Sequence, residues 1–134
     1  MNLQVGVKAL LKNKEGKYLL LRRNAEKYPE IGSSWDIVGG RIDPGTSLFE
    51  NLKREVSEET QLVLEKEPRL IAAQDILRPD KHVVRLTFIG EIKGTPTLHE
   101  EHDNFGWFTV EEMQNLDKLD PFLKEVITKH TSLL

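Results

Sequence analysis

Residues 40–62 read GRIDPGTSLFENLKREVSEETQL, a loop with glycine and proline that leads into a segment with helical periodicity. Ser47 and Glu50 stand at the spacing of a capping box, and this pair predicts a helix that begins after Ser47. The apolar residues recur at helical spacing up to about Thr60. The segment therefore predicts a loop followed by one well-defined helix.

The apolar stripe of this helix becomes acidic halfway along. Its leucines are followed at helical spacing by Glu55 and Glu59, and Glu58 lies beside them. Carboxylates at these spacings repel one another, more strongly where water is excluded. A hard divalent cation, Mg²⁺ or Mn²⁺, is the natural counter-charge, shared with waters and a substrate phosphate. The alternative is a solvated helix face on which Arg54 pairs with Glu58.

Strands and further helices are predicted on both sides of this segment. Apolar alternation and turn residues predict strands over 5–11, 18–23, 35–38, 69–76, 82–92 and 105–108, and capping residues predict helices after Thr109 and Asp120. Loops are predicted over 24–34 and 93–104, and Gly39 and Gly40 are predicted to end the strand before them. Strands of mixed direction with two helical regions indicate an α/β or α+β sandwich.

The composition indicates a single domain, residues 1–134, in a reducing compartment. The chain has 134 residues and no cysteine, which excludes disulfides, thiolate nucleophiles and cysteine-ligated metals. Its 19 basic and 22 acidic residues give a net charge of −3, which argues against a nucleic-acid duplex as partner. No signal-peptide pattern and no apolar run of membrane-spanning length is present, so we expect a cytoplasmic protein without a membrane partner.

The loop and helix resemble the signature of the Nudix hydrolases, G-x5-E-x7-R-E-U-x-E-E-x-G-U, in which U is aliphatic. Seven residues fall on motif positions without a gap: Gly40, Arg54, Glu55, Val56, Glu58, Glu59 and Leu62. The order of elements around the motif is also similar to the Nudix α/β/α sandwich with a mixed β-sheet. The resemblance thus extends over the whole chain.

Two positions depart from the motif. Thr46 stands where the family has glutamate, and Gln61 stands where it has glycine. In the family that glutamate commonly braces the motif arginine or the metal shell, so we expect Arg54 to be held differently, with lower metal affinity or rate. Glycine ends the family's helix in a left-handed conformation, which glutamine adopts at a cost of about 1 kcal/mol.

The resemblance implies a metal-dependent hydrolase that directs water at the diphosphate linkage of a nucleoside diphosphate derivative. Glu58 and Glu59 resemble the family's principal metal ligands, Glu55 a ligand or the general base, and the Gly40 carbonyl a further ligand. Arg54 is implied to orient the glutamates. A nucleoside triphosphate is the favoured substrate because the chain is compact. The alternative is a nucleotide-binding module of this fold without catalysis, and the oligomeric state stays open.

An acidic segment near the predicted last strand supplies a candidate general base. Glu101 is that candidate, and a solvated acidic loop is the alternative. His99 and His102 stand at i, i+3 and form an alternative pair of transition-metal ligands.

Candidates for substrate binding lie on both sides of the glycine pair. Arg22 and Arg23 end a predicted strand, and alternation places them on opposite faces, so at most one reaches a substrate phosphate. Arg41, in the glycine loop, is a further candidate. Trp35 is a candidate for stacking on a nucleobase, although packing in the core is favoured for it.

Overall fold

The structure is a computed structural model that describes residues 1–27, 29 and 32–134. Residues 28, 30 and 31 of the predicted loop 24–34 lie outside the described residues. In chain order the elements are β1 (Asn2–Lys12), β2 (Tyr18–Arg23), β3 (Trp35–Asp36), β4 (Val38–Arg41), α1 (Leu48–Thr60), β5 (Arg69–Leu77), β6 (Lys81–Glu91), β7 (His102–Phe108), α2 (Val110–Gln114) and α3 (Pro121–Lys129), followed by the short 3₁₀-helix Thr131–Leu133.

One mixed sheet contains all the strands of the described chain, and β1 is its centre. β1 pairs in parallel with β6 along its whole length, from Asn2↔Lys81 to Lys12↔Glu91, and β5 is the antiparallel neighbour of β6. β1 meets β2 at one register pair, Lys12↔Tyr18. Beyond it, β1 pairs with β4, whereas β2 pairs with β7 and β3. The sheet therefore opens into a cleft between β1 and β2.

Helices cover both faces of this sheet. α1 packs its buried residues Leu52 and Val56 into one apolar cluster with Val7 of β1. On the other face, Met113 of α2 packs into a second cluster with Leu10 of β1. Because side chains alternate along a strand, one strand contributes to both clusters. The predicted α/β/α sandwich with a mixed sheet is confirmed.

The predicted strand 35–38 was wrong in its extent. It divides at Ile37, where the chain leaves its pairing with β2 and crosses to β1. Gly39 and Gly40 do not end a strand, because both lie inside β4. A Cβ on Gly39 would stand 2.0 Å from the Val7 carbonyl oxygen, so glycine is what allows the two backbones to approach.

The predicted loop 93–104 was wrong at its end, because β7 begins at His102. Its first residues pair with β2 through Arg23↔His102 and Arg22↔Asn104. Backbone hydrogen bonds to a neighbouring strand extend β7 over residues whose side chains carry no strand pattern.

Capping residues place the helix ends where the sequence predicts them. The Ser47 hydroxyl accepts a hydrogen bond from the Glu50 N–H at 3.2 Å, and Thr109 and Glu112 form a complete capping box on α2. Gln61 ends α1 with φ 59° and ψ 19°, which confirms the predicted left-handed conformation. Within the described chain, the helices are too short or too polar to cross a membrane.

Candidate active site

A cavity of about 440 Å³ occupies the cleft between β1 and β2, within the usual size range of small-molecule sites. It brings together the predicted metal-binding residues, the candidate base Glu101 and one of the predicted phosphate-binding residues, Arg23. The polar side chains that line it are Lys8, Arg23, Ser34, Asp36, Glu55, Glu58, Glu59, His99, Glu101 and His102. Gly39 and Gly40 contribute backbone to the same wall.

Glu59 is the buried carboxylate of the cavity, with 8% of its surface exposed. One of its oxygens accepts a hydrogen bond from the Gly39 N–H at 3.0 Å, which joins the end of α1 to β4. Burial raises the pKa of Glu59 to about 7, although Lys8 and the Gly39 N–H act in the opposite direction. Glu59 is therefore a carboxyl group that titrates near neutral pH.

Glu55 lies directly against the backbone of Gly40. A Cβ on Gly40 would stand 2.8 Å from the carboxylate carbon of Glu55, so a side chain at position 40 displaces that carboxylate. The Glu55 carboxylate also accepts a hydrogen bond from Arg54 Nη2 at 2.9 Å. The motif glycine thus provides the space in which Glu55 sits.

Arg54 is held differently from the motif pattern, as the departure at position 46 predicts. Its Nη1 donates to the carboxylate of Asp43 and, at 3.1 Å, to the side-chain oxygen of Asn51. Its Nη2 also donates to the Arg41 carbonyl oxygen at 3.2 Å. Asp43 therefore supplies the negative charge that Thr46 lacks. This role was missed in the sequence because Asp43 occupies a variable position of the motif.

Asn51 fixes the loop that carries Asp43 to the first turns of α1. Its buried side-chain amide donates to the carbonyl oxygens of Thr46 and Ser47 at 2.9 Å and 2.7 Å. Its side-chain oxygen accepts a hydrogen bond from the Asp43 N–H at 2.9 Å. Asp43 is consequently presented to Arg54 by a loop with a defined backbone position.

Four charged side chains form a network that begins in the cavity wall and extends away from it. Lys8 Nζ lies 3.1 Å from Asp36 Oδ2, and Arg85 Nη2 lies 3.1 Å from Asp36 Oδ1. The same Nη2 lies 3.4 Å from Asp120 Oδ2. Burial alone would raise the pKa of Asp36, but Lys8 and Arg85 hold it at about 2. One signal of this network is visible in the sequence, namely the charge of Lys8 inside an apolar alternation.

The chain around the start of β7 also lines the cavity. The segment before β7 contributes His99 and Glu101, and β7 contributes its first residue, His102. Burial lowers the pKa of His102 to about 4, and the charges of Arg23 and Lys8 act in the same direction. The His102 imidazole is therefore neutral at pH 7, and its Nδ1 has no hydrogen-bond partner among the described residues.

Three of the predicted substrate-binding residues do not line this cavity. Arg22 faces away, and its Nε donates to Asp103 at 2.8 Å. Trp35 packs edge-to-face on Phe108 at a centroid distance of 5.4 Å, within the apolar cluster on the α3 side. An ion pair thus engages Arg22, and packing engages Trp35, which is the role that the sequence favours for it. Arg41 lines a neighbouring cavity instead.

The donor chemistry of the cavity fits a hard divalent cation. Glu55, Glu58 and Glu59 share its wall with Gly40, and carboxylate and carbonyl oxygens are the ligands that Mg²⁺ and Mn²⁺ prefer. In the part of the chain that the structure describes, no three such side chains form a closed ligand cluster. Glu58 is 62% exposed and lies 3.8 Å from Arg54 Nε, so its carboxylate combines exposure to solvent with an ion pair to the motif arginine.

The fold, the acidic helix and the cleft together define a hydrolase of phosphoric anhydrides. Residues 2–130 match the model of the NUDIX domain. The chain belongs to the Nudix family and is a Nudix-type pyrophosphohydrolase. No protein of curated function matches the sequence.

Solved structures share this architecture over nearly the whole chain. A MutT protein from Methanosarcina mazei Go1 is 26% identical with a TM-score of 0.84, over 98% of this chain and 95% of that one. The E. coli ORF135 protein is 24% identical with a TM-score of 0.79, over 99% and 91%. A MutT NUDIX hydrolase from Burkholderia pseudomallei is 22% identical with a TM-score of 0.81, over 97% and 99%. At the two lower identities the likeness concerns the fold alone.

Proposed function

We propose that this protein is a divalent-metal-dependent hydrolase of a nucleoside diphosphate derivative, with nucleoside triphosphates as the first class to test. The observation that carries the proposal is the composition of one cavity, in which three carboxylates of α1 share the space with Lys8 and Arg23. A diphosphate repels an incoming nucleophile, so a site that cleaves it must neutralise charge on its oxygens. The cavity offers both the ligands for a cation and two cationic side chains.

The residues of the cavity divide into metal ligands, phosphate contacts and supports. Glu55, Glu58 and Glu59 would hold Mg²⁺ or Mn²⁺ together with the Gly40 carbonyl, and the bound cation supplies charge neutralisation and a more acidic water. Arg23 lies on the β2 side of the cavity, within reach of substrate phosphate oxygens.

Arg54 acts as a positioning residue in this proposal. It does not line the cavity, and its contacts with the site are the hydrogen bond to Glu55 and the ion pair with Glu58. Its own geometry is fixed by Asp43 and Asn51.

Glu101 is the general base in this proposal, and Glu55 is a metal ligand. Glu55 already accepts a hydrogen bond from Arg54. Within the described chain, no hydrogen bond engages the carboxylate of Glu101, which lines the same cavity as the helix carboxylates. An uncommitted carboxylate in the cavity of the metal ligands is suited to take a proton from an attacking water.

Chromatographic product analysis tests the proposal. Purified protein is incubated with nucleoside triphosphates, ADP-ribose, sugar nucleotides and dinucleoside polyphosphates, with and without Mg²⁺. We expect metal-dependent products that disappear with Glu59→Gln and persist with Glu65→Gln, which removes an exposed carboxylate outside the cavity. Saturable nucleotide binding without product in any incubation would contradict the proposal and support a non-catalytic binding module.

A further inference from the structure

A cavity of about 640 Å³ lies at the end of the sheet away from the active site, within the size range of small-molecule sites. The turn between β1 and β2, residues 92–95 after β6 and Trp107 of β7 line this distal cavity. Among the described residues, none lines both the distal cavity and the active-site cavity. Lys8 of the active site and Asn13 of the distal cavity are five residues of extended chain apart, or about 16 Å. The two cavities are therefore separate sites.

The distal cavity is basic, although the chain as a whole has a net charge of −3. Lys14, Lys17 and Lys93 line it together with a single carboxylate, that of Glu15. Within the described chain, no carboxylate lies at ion-pair distance from the three lysines. Three cations that no ion pair neutralises attract an anion to this cavity.

The turn between β1 and β2 presents Lys14 and Lys17 from a fixed backbone. The Asn13 side-chain oxygen accepts hydrogen bonds from the Glu15 and Lys17 N–H groups, both at 3.0 Å. The Asn13 N–H donates to the Lys17 carbonyl oxygen at 2.9 Å, and Gly16 completes the turn with φ 80°. Because the turn is already ordered, little backbone entropy is lost when a ligand binds to its lysines.

The segment after β6 is held beside that turn. The Ile92 N–H donates to the Lys12 carbonyl oxygen at 3.0 Å, at the end of β1. Gly94 has φ 105°, and a Cβ at this position would stand 2.9 Å from Leu62 Cδ2. These contacts fix the chain on both sides of Lys93, which therefore reaches the cavity from a defined position.

Trp107 supplies an aromatic wall of the distal cavity. It pairs with Leu19 of β2, and its half-buried side chain packs against the apolar cluster on the α1 side. The other tryptophan, Trp35, packs on Phe108 in the apolar cluster on the α3 side. An aromatic side chain beside several cations is the combination that binds a nucleobase by stacking and its phosphates by charge.

We propose that the distal cavity is a second nucleotide-binding site, in which Trp107 stacks on the base and the three lysines bind the phosphates. Lysine binds phosphate as a point charge, and stacking on an aromatic ring accepts any base. The inference goes beyond the proposed function and does not rest on it, because the distal cavity contains none of the helix carboxylates.

Calorimetric titration with ATP in the presence of a chelator tests this inference. Without a divalent cation, the carboxylates of the active-site cavity repel the nucleotide, so the titration reports on the distal cavity. Lys14→Gln/Lys93→Gln should raise the Kd of ATP at least about tenfold, because it removes two charged contacts. Tripolyphosphate, which has no base, should bind more weakly than ATP.

Two variants serve as controls. Lys124→Gln/Lys129→Gln removes two exposed cations of α3 that do not line the distal cavity, and it should bind ATP as the wild type does. Glu59→Gln alters the active-site cavity and should also retain ATP binding.

Fluorescence provides an independent measurement of the same site. The chain has two tryptophans, so Trp35→Phe leaves Trp107 as the only one. ATP should quench the fluorescence of this variant, and adding Lys14→Gln/Lys93→Gln should abolish the quenching at the same ATP concentration.

Three outcomes would overturn the inference. One is an unchanged Kd of ATP in Lys14→Gln/Lys93→Gln, and another is an equal rise of the Kd in both double lysine variants. The third is equal binding of tripolyphosphate and ATP, which would show that no base is recognised. None of these titrations requires turnover, so they decide the inference whether or not the protein hydrolyses nucleotides.

Discussion

The guanidinium of Arg54 donates to the carboxylate of Asp43, eleven residues earlier in the chain, and also to the carboxylate of Glu55. The Nudix motif places the bracing carboxylate at position 46, which is a threonine here. Asp43 reaches the same guanidinium from the loop, so the charge that braces Arg54 is kept at a different position. The departure at Thr46 therefore does not leave Arg54 without an acidic partner.

Asp43→Asn should lower activity without unfolding the protein. We expect kcat or metal affinity to fall about 10-fold to 100-fold, the usual effect of removing a partner that orients a ligand. The unfolding free energy should change by less than about 1 kcal/mol, because Asp43 is 69% exposed. Adding Thr46→Glu to this variant should restore part of the activity. Full activity of Asp43→Asn alone would show that the contact with Asp43 is not required to orient Arg54.

Glu59→Gln should change how stability depends on pH in metal-free protein. The pKa of Glu59 is raised from 4.5 to about 7, so between these values the folded protein holds a proton that the unfolded chain has released. This contribution to stability is complete below about pH 4.5 and is lost as the pH rises through 7, by about 3 kcal/mol in total.

Urea denaturation of both proteins with a chelator measures this effect. The variant should gain stability relative to the wild type as the pH rises through that interval. If the difference in unfolding free energy between the two proteins does not vary with pH, Glu59 does not titrate in this interval.

Mg²⁺ binding should be linked to the same proton. A carboxyl group must lose its proton to bind the cation, so we expect Mg²⁺ affinity to increase as the pH rises toward about 7. Calorimetric titration in buffers of different ionisation enthalpy should detect proton release on binding. Glu59→Gln should release fewer protons, and an unchanged proton release would exclude Glu59 as their source.

Gly40→Ala should inactivate the enzyme through the position of Glu55. The added Cβ would stand 2.8 Å from the Glu55 carboxylate carbon, so we expect the carboxylate to be displaced and kcat to fall about 100-fold or more. Gly6→Ala is the matched control on the paired strand, because its Cβ meets no atom closer than 3.8 Å. Equal activities of the two variants on a nucleoside triphosphate would contradict this role of Gly40.

Gln61→Gly should stabilise the protein and leave kcat unchanged. Gln61 has φ 59°, a conformation in which glycine avoids a cost of about 1 kcal/mol, and thermal or urea unfolding should show a gain of that size. Lys118→Gly tests the same effect at φ 60° outside the motif. A loss of stability in Gln61→Gly would mean that the Gln61 side chain stabilises the protein by more than its left-handed conformation costs.

The acidic helix could be predicted from the sequence because it depends on the spacing of residues that are close together in the chain. The spacing of Glu55 and Glu59 places them on one helix face, and Gln61 follows the last turn whatever the rest of the chain does. The neighbouring cavity that Arg41 lines could not be predicted in this way, because only the registers of three strands place Arg41 and Arg85 on either side of Gly6. Strand register depends on the whole fold.

The start of β7 could not be predicted for a related reason. His102, Asp103 and Asn104 are polar and carry no apolar alternation, and their pairing is supplied by the backbone of β2. This pairing also brings His102 into the cavity, where burial makes it neutral. The local sequence offers His102 as a candidate site residue, but its position depends on the partner strand and cannot be predicted from that sequence.

β1 and β2 part after the pair Lys12↔Tyr18 by exchanging partners, β1 to β4 and β2 to β7. The backbone amides in the cleft walls thus keep their hydrogen bonds to neighbouring strands. The hydrogens of such amides exchange with solvent only when larger units of the structure open. Their hydrogen exchange should be as slow as that of the sheet interior. A cleft made in this way permits side-chain substitution over evolution without weakening the main-chain framework that encloses it.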